Sequence, residues 1–297
     1  MRSGTVSIVG RPNVGKSTLL NKILEKKIAI TSDKAGTTRN LILGVYNDSD
    51  SQIVFVDTPG IHKPEHKLGN VLNKKAYLMT SDVDLVLFVV DISKGFGKGD
   101  NFILDRLKQE EAKVILILNK VDNINKEDLI KKIDEIKELY DFLEIIPTSA
   151  IKGININDLI NTLKKYLPND FKYYEDDYVT NQPKSLIITE RVREKVLRLT
   201  EDEIPHTVTC VLETYEEKKD LLKLGVLIVI DRENIKKIII GKNGSMLKKI
   251  GSEARLDLEE YFGKKVYLSL YVKVIKNWRD REGLIKELGL HDDIDED

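Results

Sequence analysis

The chain has 297 residues, 41% of them hydrophobic and 33% charged. That is enough apolar content to bury a core in about two domains, and too much for a disordered chain. Its 48 basic and 49 acidic side chains leave a net charge of −1, so any surface for a polyanion must be a local patch. The single cysteine, Cys210, excludes an internal disulfide framework and a cysteine-cluster metal site, and it suits a reducing compartment.

The first half alternates short apolar runs with helical stretches. Val6–Val9, Ile53–Val56, Leu85–Val90, Val114–Leu118 and Glu144–Ile146 are continuous rather than alternating, which predicts strands buried on both faces of a parallel sheet. Helices are expected over Ser17–Lys26, Asp100–Gln109, Glu127–Tyr140 and Asn157–Tyr166, with Pro168 stopping the last. Strand alternating with helix is the α/β pattern with right-handed crossovers. The apolar runs are far shorter than the ~20 residues a membrane helix needs, and Pro12, Asn13 and Lys16 interrupt any signal-peptide core. A soluble, cytoplasmic protein is expected.

Residues 169–183 are aromatic and acidic without periodicity, which predicts a linker between a domain at 1–168 and another at 184–290. The second half reads as helix (Glu190–Thr200), strands (Thr207–Thr214, Gly225–Asp231), helices (Asn234–Ile240, Ser245–Tyr261) and a strand (Lys265–Val274). That last strand alternates, with Val266, Leu268, Leu270, Val272 and Val274 on one face and Tyr267, Ser269, Tyr271 and Lys273 on the other. A smaller three-stranded α+β domain follows, with an acidic tail at 291–297.

Four motifs stand in order at predicted strand ends. Gly10-Arg11-Pro12-Asn13-Val14-Gly15-Lys16-Ser17-Thr18 follows the first strand and opens a helix, the context of a phosphate-binding loop. Its backbone N–H groups would point at phosphates, Lys16 would neutralise the β- and γ-phosphates, and Ser17 would hold Mg²⁺. Asp57-Thr58-Pro59-Gly60 supplies an acid for Mg²⁺ and a backbone N–H for the γ-phosphate, with Ile61 next in line. Asn119-Lys120-Val121-Asp122 places one carboxylate, Asp122, where it can accept both guanine donors, N1–H and the exocyclic amine. Ser149-Ala150 can present a backbone N–H to guanine O6. The expected ligands are GTP and GDP.

These residues resemble a translation-factor-class GTPase of the Ras superfamily, and Gly36-Thr37-Thr38-Arg39 resembles the first switch of its Era-type group. The resemblance makes Thr38 the switch threonine on Mg²⁺, beside Ser17 and Asp57, and gives catalytic roles to Lys16, Thr38, Gly60 and Asn13. Ile61, where Ras orients the attacking water with a glutamine, has no polar group, so water must be positioned otherwise. In the resembling group Asn13 helps bind K⁺, which can replace an arginine finger. His62 and His66 follow in a segment read as a solvated switch loop.

In the second half, Gly241-Lys242-Asn243-Gly244 joins two helices and is flanked by Lys236, Lys237, Lys248 and Lys249, with no acid from Asn234 to Gly251. A Gly-x-x-Gly turn lets RNA backbone approach the main chain, as in KH domains, and the element order resembles the type II arrangement. Ile238, Ile239 and Ile240 could serve core or groove, and Tyr267 and Tyr271 could stack bases or pack on the sheet. A GTPase domain followed by a type II KH domain resembles the Era family over nearly the whole chain, including Arg191–Lys195, Glu203–His206 and Leu270–Val274 with Trp278. That resemblance implies a monomeric GTPase binding the 3′ end of 16S rRNA through Lys236, Lys237, Ile240, Gly241, Lys242, Asn243, Gly244, Lys248 and Lys249. It also implies a role in 30S ribosome biogenesis, with peripheral contact to the inner membrane. A membrane-linked signalling GTPase, or an RNA chaperone with a structural nucleotide site, are the rival readings.

Overall fold

A computed structural model describes residues 1–34, 36–64, 66–168, 171–201 and 204–290; the acidic tail lies outside them. The chain forms two compact units. The first comprises Met1–Thr31, Thr38–Pro64 and Gly69–Asn181, and the second takes Gln182 onward with the short stretches Ser32–Thr37 and Glu65–Leu68.

The first unit runs β1 (Arg2–Val9), α1 (Lys16–Ile23), β2 (Ile42–Asn47), β3 (Ser51–Asp57), α2 (Lys67–Ser81), β4 (Leu85–Asp91), α3 (Lys98–Gln109), β5 (Val114–Asn119), α4 (Lys126–Ile136), β6 (Glu144–Pro147) and α5 (Ile156–Tyr166). Its six strands lie in the order β2-β3-β1-β4-β5-β6, all parallel except β2, which pairs antiparallel with β3. The continuous apolar runs serve two cores. Leu87, Val89, Ile115 and Ile117 point to the face covered by α1 and α5, and Val86, Phe88, Val90, Leu116 and Leu118 to the face that receives α3 and α4. Period-two alternation with both faces apolar is what makes such strands look unpatterned in sequence.

Two elements of this unit go beyond the sequence reading. β2 is an edge strand interrupted by Gly44, where a Cβ would stand 2.6 Å from Leu24 Cδ1, so its alternation is broken. α2 buries Leu68, Leu72 and Ala76 one turn apart, together with polar Asn73, Lys75 and Thr80, and the sequence reading assigns no helix there. The expected linker also differs, because residues through Asn181 belong to the first unit. Val45 N–H donates to Val179 O at 2.9 Å, and buried Gln52 accepts from the N–H groups of Tyr173 and Tyr174 at 2.7 and 2.9 Å. Tyr174 and Tyr178 stack at 4.4 Å. Side-chain-to-backbone bonds, a backbone pair and a ring stack hold this segment, and they leave no periodic trace.

The second unit runs α6 (Lys184–Leu199), α7 (Ile204–Thr207), β7 (Thr209–Glu217), β8 (Leu221–Ile230), α8 (Glu233–Ile240), α9 (Ser245–Phe262), β9 (Lys265–Val274) and α10 (Glu282–Glu287). β8 is central, antiparallel to β7 and parallel to β9. One sheet face carries Leu222, Leu224, Val226, Ile228 and Ile230 against Ile188, Val192 and Val196 of α6, Ile235 and Ile239 of α8, and Ile250, Ala254 and Leu258 of α9. The helical sets recur every fourth residue, which keeps each on one stripe.

Candidate nucleotide site and nucleic-acid interface

The loop after β1 turns sharply into α1, whose N-cap is Gly15 at φ 102°. Lys16 is buried and its Nζ donates to the carbonyls of Gly10 and Arg11, both at 3.1 Å. Burial lowers its pKa to about 8, against the pull of Asp57. Asp57, at the end of β3, is fully buried, which raises its carboxyl to about 6 despite Lys16 and hydrogen bonds from Ser17 and Thr38. A lysine losing charge and an aspartate gaining a proton are the expected responses of two ions taken out of water.

Ser17 Oγ donates to Asp57 Oδ2 at 2.6 Å and stands 2.8 Å from Thr38 Oγ1. Asp57 Oδ1 is buried with no hydrogen-bond partner among the described residues. A buried carboxylate oxygen left over beside two hydroxyls is a hard oxygen donor set that fits Mg²⁺. The three expected metal ligands are thus brought together from β3, α1 and the segment after Thr37.

The motif expected to recognise the base is braced on both sides. Asn119 Nδ2 donates to Val14 O at 2.8 Å, and its Oδ1 accepts from Ala150 N–H at 3.0 Å and Thr148 Oγ1 at 3.3 Å. Lys120, in the left-handed region at φ 67°, donates from Nζ to Asn13 O and to Asp91 Oδ2, each at 2.7 Å. Although burial raises the Asp91 carboxyl, the hydrogen bond from Lys120 wins and its pKa is lowered. Asp122 is exposed and makes no hydrogen bond among the described residues, leaving both carboxylate oxygens free to accept. Ser149 N–H pairs with Ile154 O at 3.3 Å. Since Ala150 N–H is also engaged, this motif supports Asn119 here. Asp91 and Thr148 were missed in the sequence; an acid at the end of a buried strand was the available signal for Asp91.

Ile61 is 2% exposed and packs in the core with Val9 and Phe88. The position that would hold a water-orienting side chain therefore faces inward. His62 is exposed, its Nδ1 lies 3.0 Å from Gly60 O, and Asn73 Nδ2 holds its carbonyl at 2.7 Å. Arg11 reaches Asp100 Oδ2 at 3.1 Å.

In the second unit, α8 and α9 are joined by the Lys242–Gly244 turn, with Gly241, Asn243 and Gly244 at φ 72°, 53° and 76°. A Cβ at Gly241 would stand 2.8 Å from Met246 N, so position 241 tolerates no side chain. Lys237, Lys242, Asn243, Lys248 and Lys249 are exposed and Lys236 and Ile240 half-buried. Ile239 is fully buried and Ile238 is 48% exposed, which divides the isoleucine run between core and surface. A groove of about 420 Å³ opens beside the turn, with Leu247 and Gly251 of α9 on one wall and Leu268 and Leu270 of β9 on the other. Lys248 and Arg255 stand on its rim. A tight turn, lysines and an apolar trough form the kind of surface that clamps single-stranded nucleic acid.

A family model described as 50S ribosome-binding GTPase matches residues 5–120, and a KH-domain model matches residues 203–279. The crystal structure of an Aquifex aeolicus Era variant bound to GDP·AlF4⁻ is 40% identical, covers 98% of this chain and 99% of its own, and superposes with a TM-score of 0.94. The structure of Era with MgGDPNP and nucleotides 1506–1542 of 16S ribosomal RNA is likewise 40% identical over the same shares, at a TM-score of 0.95.

Proposed function

The chain belongs to the Era family of GTPases, and from that premise we propose that it is a GTP-hydrolysing switch that binds the 3′ end of 16S rRNA in 30S ribosome biogenesis. The observation that carries this reading is the 40% identity spanning 98% of the chain, both units included, to a protein solved with a GTP analogue and 16S rRNA. The large-subunit wording belongs to a model that matches residues 5–120 only, so the full-length likeness weighs more. The rival of a membrane-linked signalling GTPase finds no support in these likenesses.

In this reading residues 1–168 hold the nucleotide and 184–290 hold RNA. Mg²⁺, when bound with nucleotide, neutralises charge between the β- and γ-phosphates, and Ser17, Thr38 and Asp57 would hold it. Lys16 gives up the Gly10 and Arg11 carbonyls to take phosphate oxygens. Asp122 accepts the two guanine donors, Lys120 lays its stem along the base, and Asn119 ties that loop to the phosphate loop. Thr38 and the Gly60 N–H are the groups that would respond to the γ-phosphate, releasing the switch segments on hydrolysis. A K⁺ ion at Asn13 and a peripheral membrane contact are finer parts of the proposal that rest on the family resemblance; among the described residues no helix is long and apolar enough to cross a membrane.

The test is GTP turnover and rRNA binding by one purified protein. Phosphate release that depends on Mg²⁺ and disappears in Lys16→Ala, together with retention of a 3′-terminal 16S rRNA fragment, is the expected result. A protein that binds GTP without turnover would overturn the switch.

A further inference from the structure

β9 has two faces, and the core uses one. Val266, Leu268, Leu270, Val272 and Val274 pack into the core of the second unit or against it. On the opposite face Lys265, Tyr267, Tyr271 and Lys273 are exposed, the two rings at 62% and 55%. The sheet register sets Lys223 beside Tyr267 and Leu227 beside Tyr271, and between them Gly225 beside Ser269. At the middle pair Thr214 Oγ1 stands 2.4 Å from where a Cβ on Gly225 would be, so the small side chains of Thr214 and Ser269 form the floor between the two aromatic residues. Four residues on a strand span about 13 Å, too far for the rings to pack on each other, so each presents a separate face.

The charges on this surface are mostly positive. Lys218 and Lys223 share Glu216 at 3.2 and 3.3 Å, Lys265 lies 4.0 Å from Glu259, and Lys273 forms no ion pair among the described residues. Aromatic faces alternating with ammonium groups suit single-stranded nucleic acid, because bases stack on rings regardless of sequence and phosphates seek the lysines. The surface is also continuous with the groove. β9 is the edge strand of its sheet, Leu268 and Leu270 line the groove, and the tyrosines sit on the reverse of the same strand.

We propose that β9 carries a second RNA surface, on which nucleotides flanking the segment in the Gly-x-x-Gly groove cross the free edge of the strand and stack on Tyr267 and Tyr271. Lys265 and Lys273 take the adjoining phosphates. The proposal rests on the reading of the groove as an RNA site.

The experiment titrates the full chain with two single-stranded RNA oligonucleotides, one of about four nucleotides, which a Gly-x-x-Gly clamp can fill, and one about four longer. Lengthening should raise wild-type affinity by about tenfold or more. In the Tyr267→Ala/Tyr271→Ala variant that gain should vanish while the short oligonucleotide binds as before, and Tyr267→Phe/Tyr271→Phe should keep it. Both side chains are exposed, so thermal unfolding should not change. A length gain that survives in the alanine variant would sink the proposal. So would a shift in sedimentation, which would mean that the face joins two copies of the chain. If wild type binds neither length, the groove reading itself fails and takes this proposal with it. If both lengths bind and only the gain is insensitive to the tyrosines, the groove reading stands alone.

Discussion

The side-chain amide of Asn119 occupies the space that any side chain at residue 15 would need: a Cβ on Gly15 would stand 2.3 Å from Asn119 Nδ2. The same Nδ2 donates to the carbonyl of Val14 at 2.8 Å, so this contact, with Lys120 Nζ on Asn13 O at 2.7 Å, ties the end of β5 to the loop before α1. Gly15→Ala must push Asn119 aside, in a backbone region at φ 102° that already disfavours alanine. Displacement strands the buried partners of Asn119 at about 1–3 kcal/mol each. GDP affinity measured by calorimetry should fall about 100-fold or more. Gly244→Ala, which meets nothing within 4 Å, serves as the control and should leave GDP binding intact. Equal affinities for all three proteins would show that Asn119 yields freely.

Asp122 is exposed and carries no hydrogen bond among the described residues, so its replacement probes recognition without disturbing packing. Asp122→Asn turns an acceptor pair into an amide whose NH₂ opposes the guanine donors. GTP affinity should drop by orders of magnitude while xanthosine triphosphate, with a carbonyl in place of the amine, gains. Unchanged GTP binding in a competition titration would remove the guanine assignment.

Ile61 is buried with the core beneath the sheet, which separates its role in folding from any role in hydrolysis. Ile61→Ala deletes buried methyl groups and should destabilise by about 2–5 kcal/mol, while turnover per folded molecule is retained. Asn13→Ala should abolish any difference between K⁺ and Na⁺ buffers. Identical wild-type rates in the two salts would end the potassium reading.

The sequence made legible what the phosphate chemistry demands locally. In the proposed reading Gly15, Lys16 and Ser17 are consecutive because a helix N-terminus would meet phosphate there, and Asp57 stands at a strand end where it would meet the metal. The supports were not legible. Asp91 reaches Lys120 from a neighbouring strand, Thr148 reaches Asn119 from another, and Asn73 holds His62 across a loop. Such bonds join residues far apart in sequence and need no periodic spacing. The segment after Pro168 was illegible for the same reason, since Gln52 holds it by bonds more than a hundred residues apart.

The buried pair Lys16 and Asp57 gives the nucleotide-free, Mg²⁺-free protein a stability curve with two limbs. Asp57 is raised from 3.8 to about 6, so the folded state binds more protons in that interval and stability falls as pH rises through it. Lys16 is lowered from 10.5 to about 8, so there the unfolded state binds more protons and stability climbs with pH across that interval. Urea denaturation at a series of pH values should show the fall and the later climb. Asp57→Asn should lack the acid limb, and saturating GDP with Mg²⁺ should flatten both. An acid limb that persists in Asp57→Asn would assign it to other groups.

The Gly-x-x-Gly turn should account for the salt dependence of RNA binding. Lys242 and Asn243 are exposed at its apex, and Asn243 holds φ 53°, a conformation that aspartate adopts nearly as readily. Lys242→Asp/Asn243→Asp therefore reverses the charge where phosphates pass, within the Debye length of ~8 Å at physiological salt, without breaking the turn. Each phosphate contact on a single strand steepens the slope of log affinity against log salt by about 0.7, so losing Lys242 should make it shallower by about that amount. The two added charges should weaken binding at every salt concentration. GTP affinity should be untouched, because the nucleotide residues belong to a unit with its own cores. Filter binding on a 3′-terminal 16S rRNA fragment, wild type against the double variant across a salt series, makes the comparison. Parallel lines of equal height would place the RNA surface elsewhere on the molecule, and the assembly function would lose the contact through which a nucleotide switch could act.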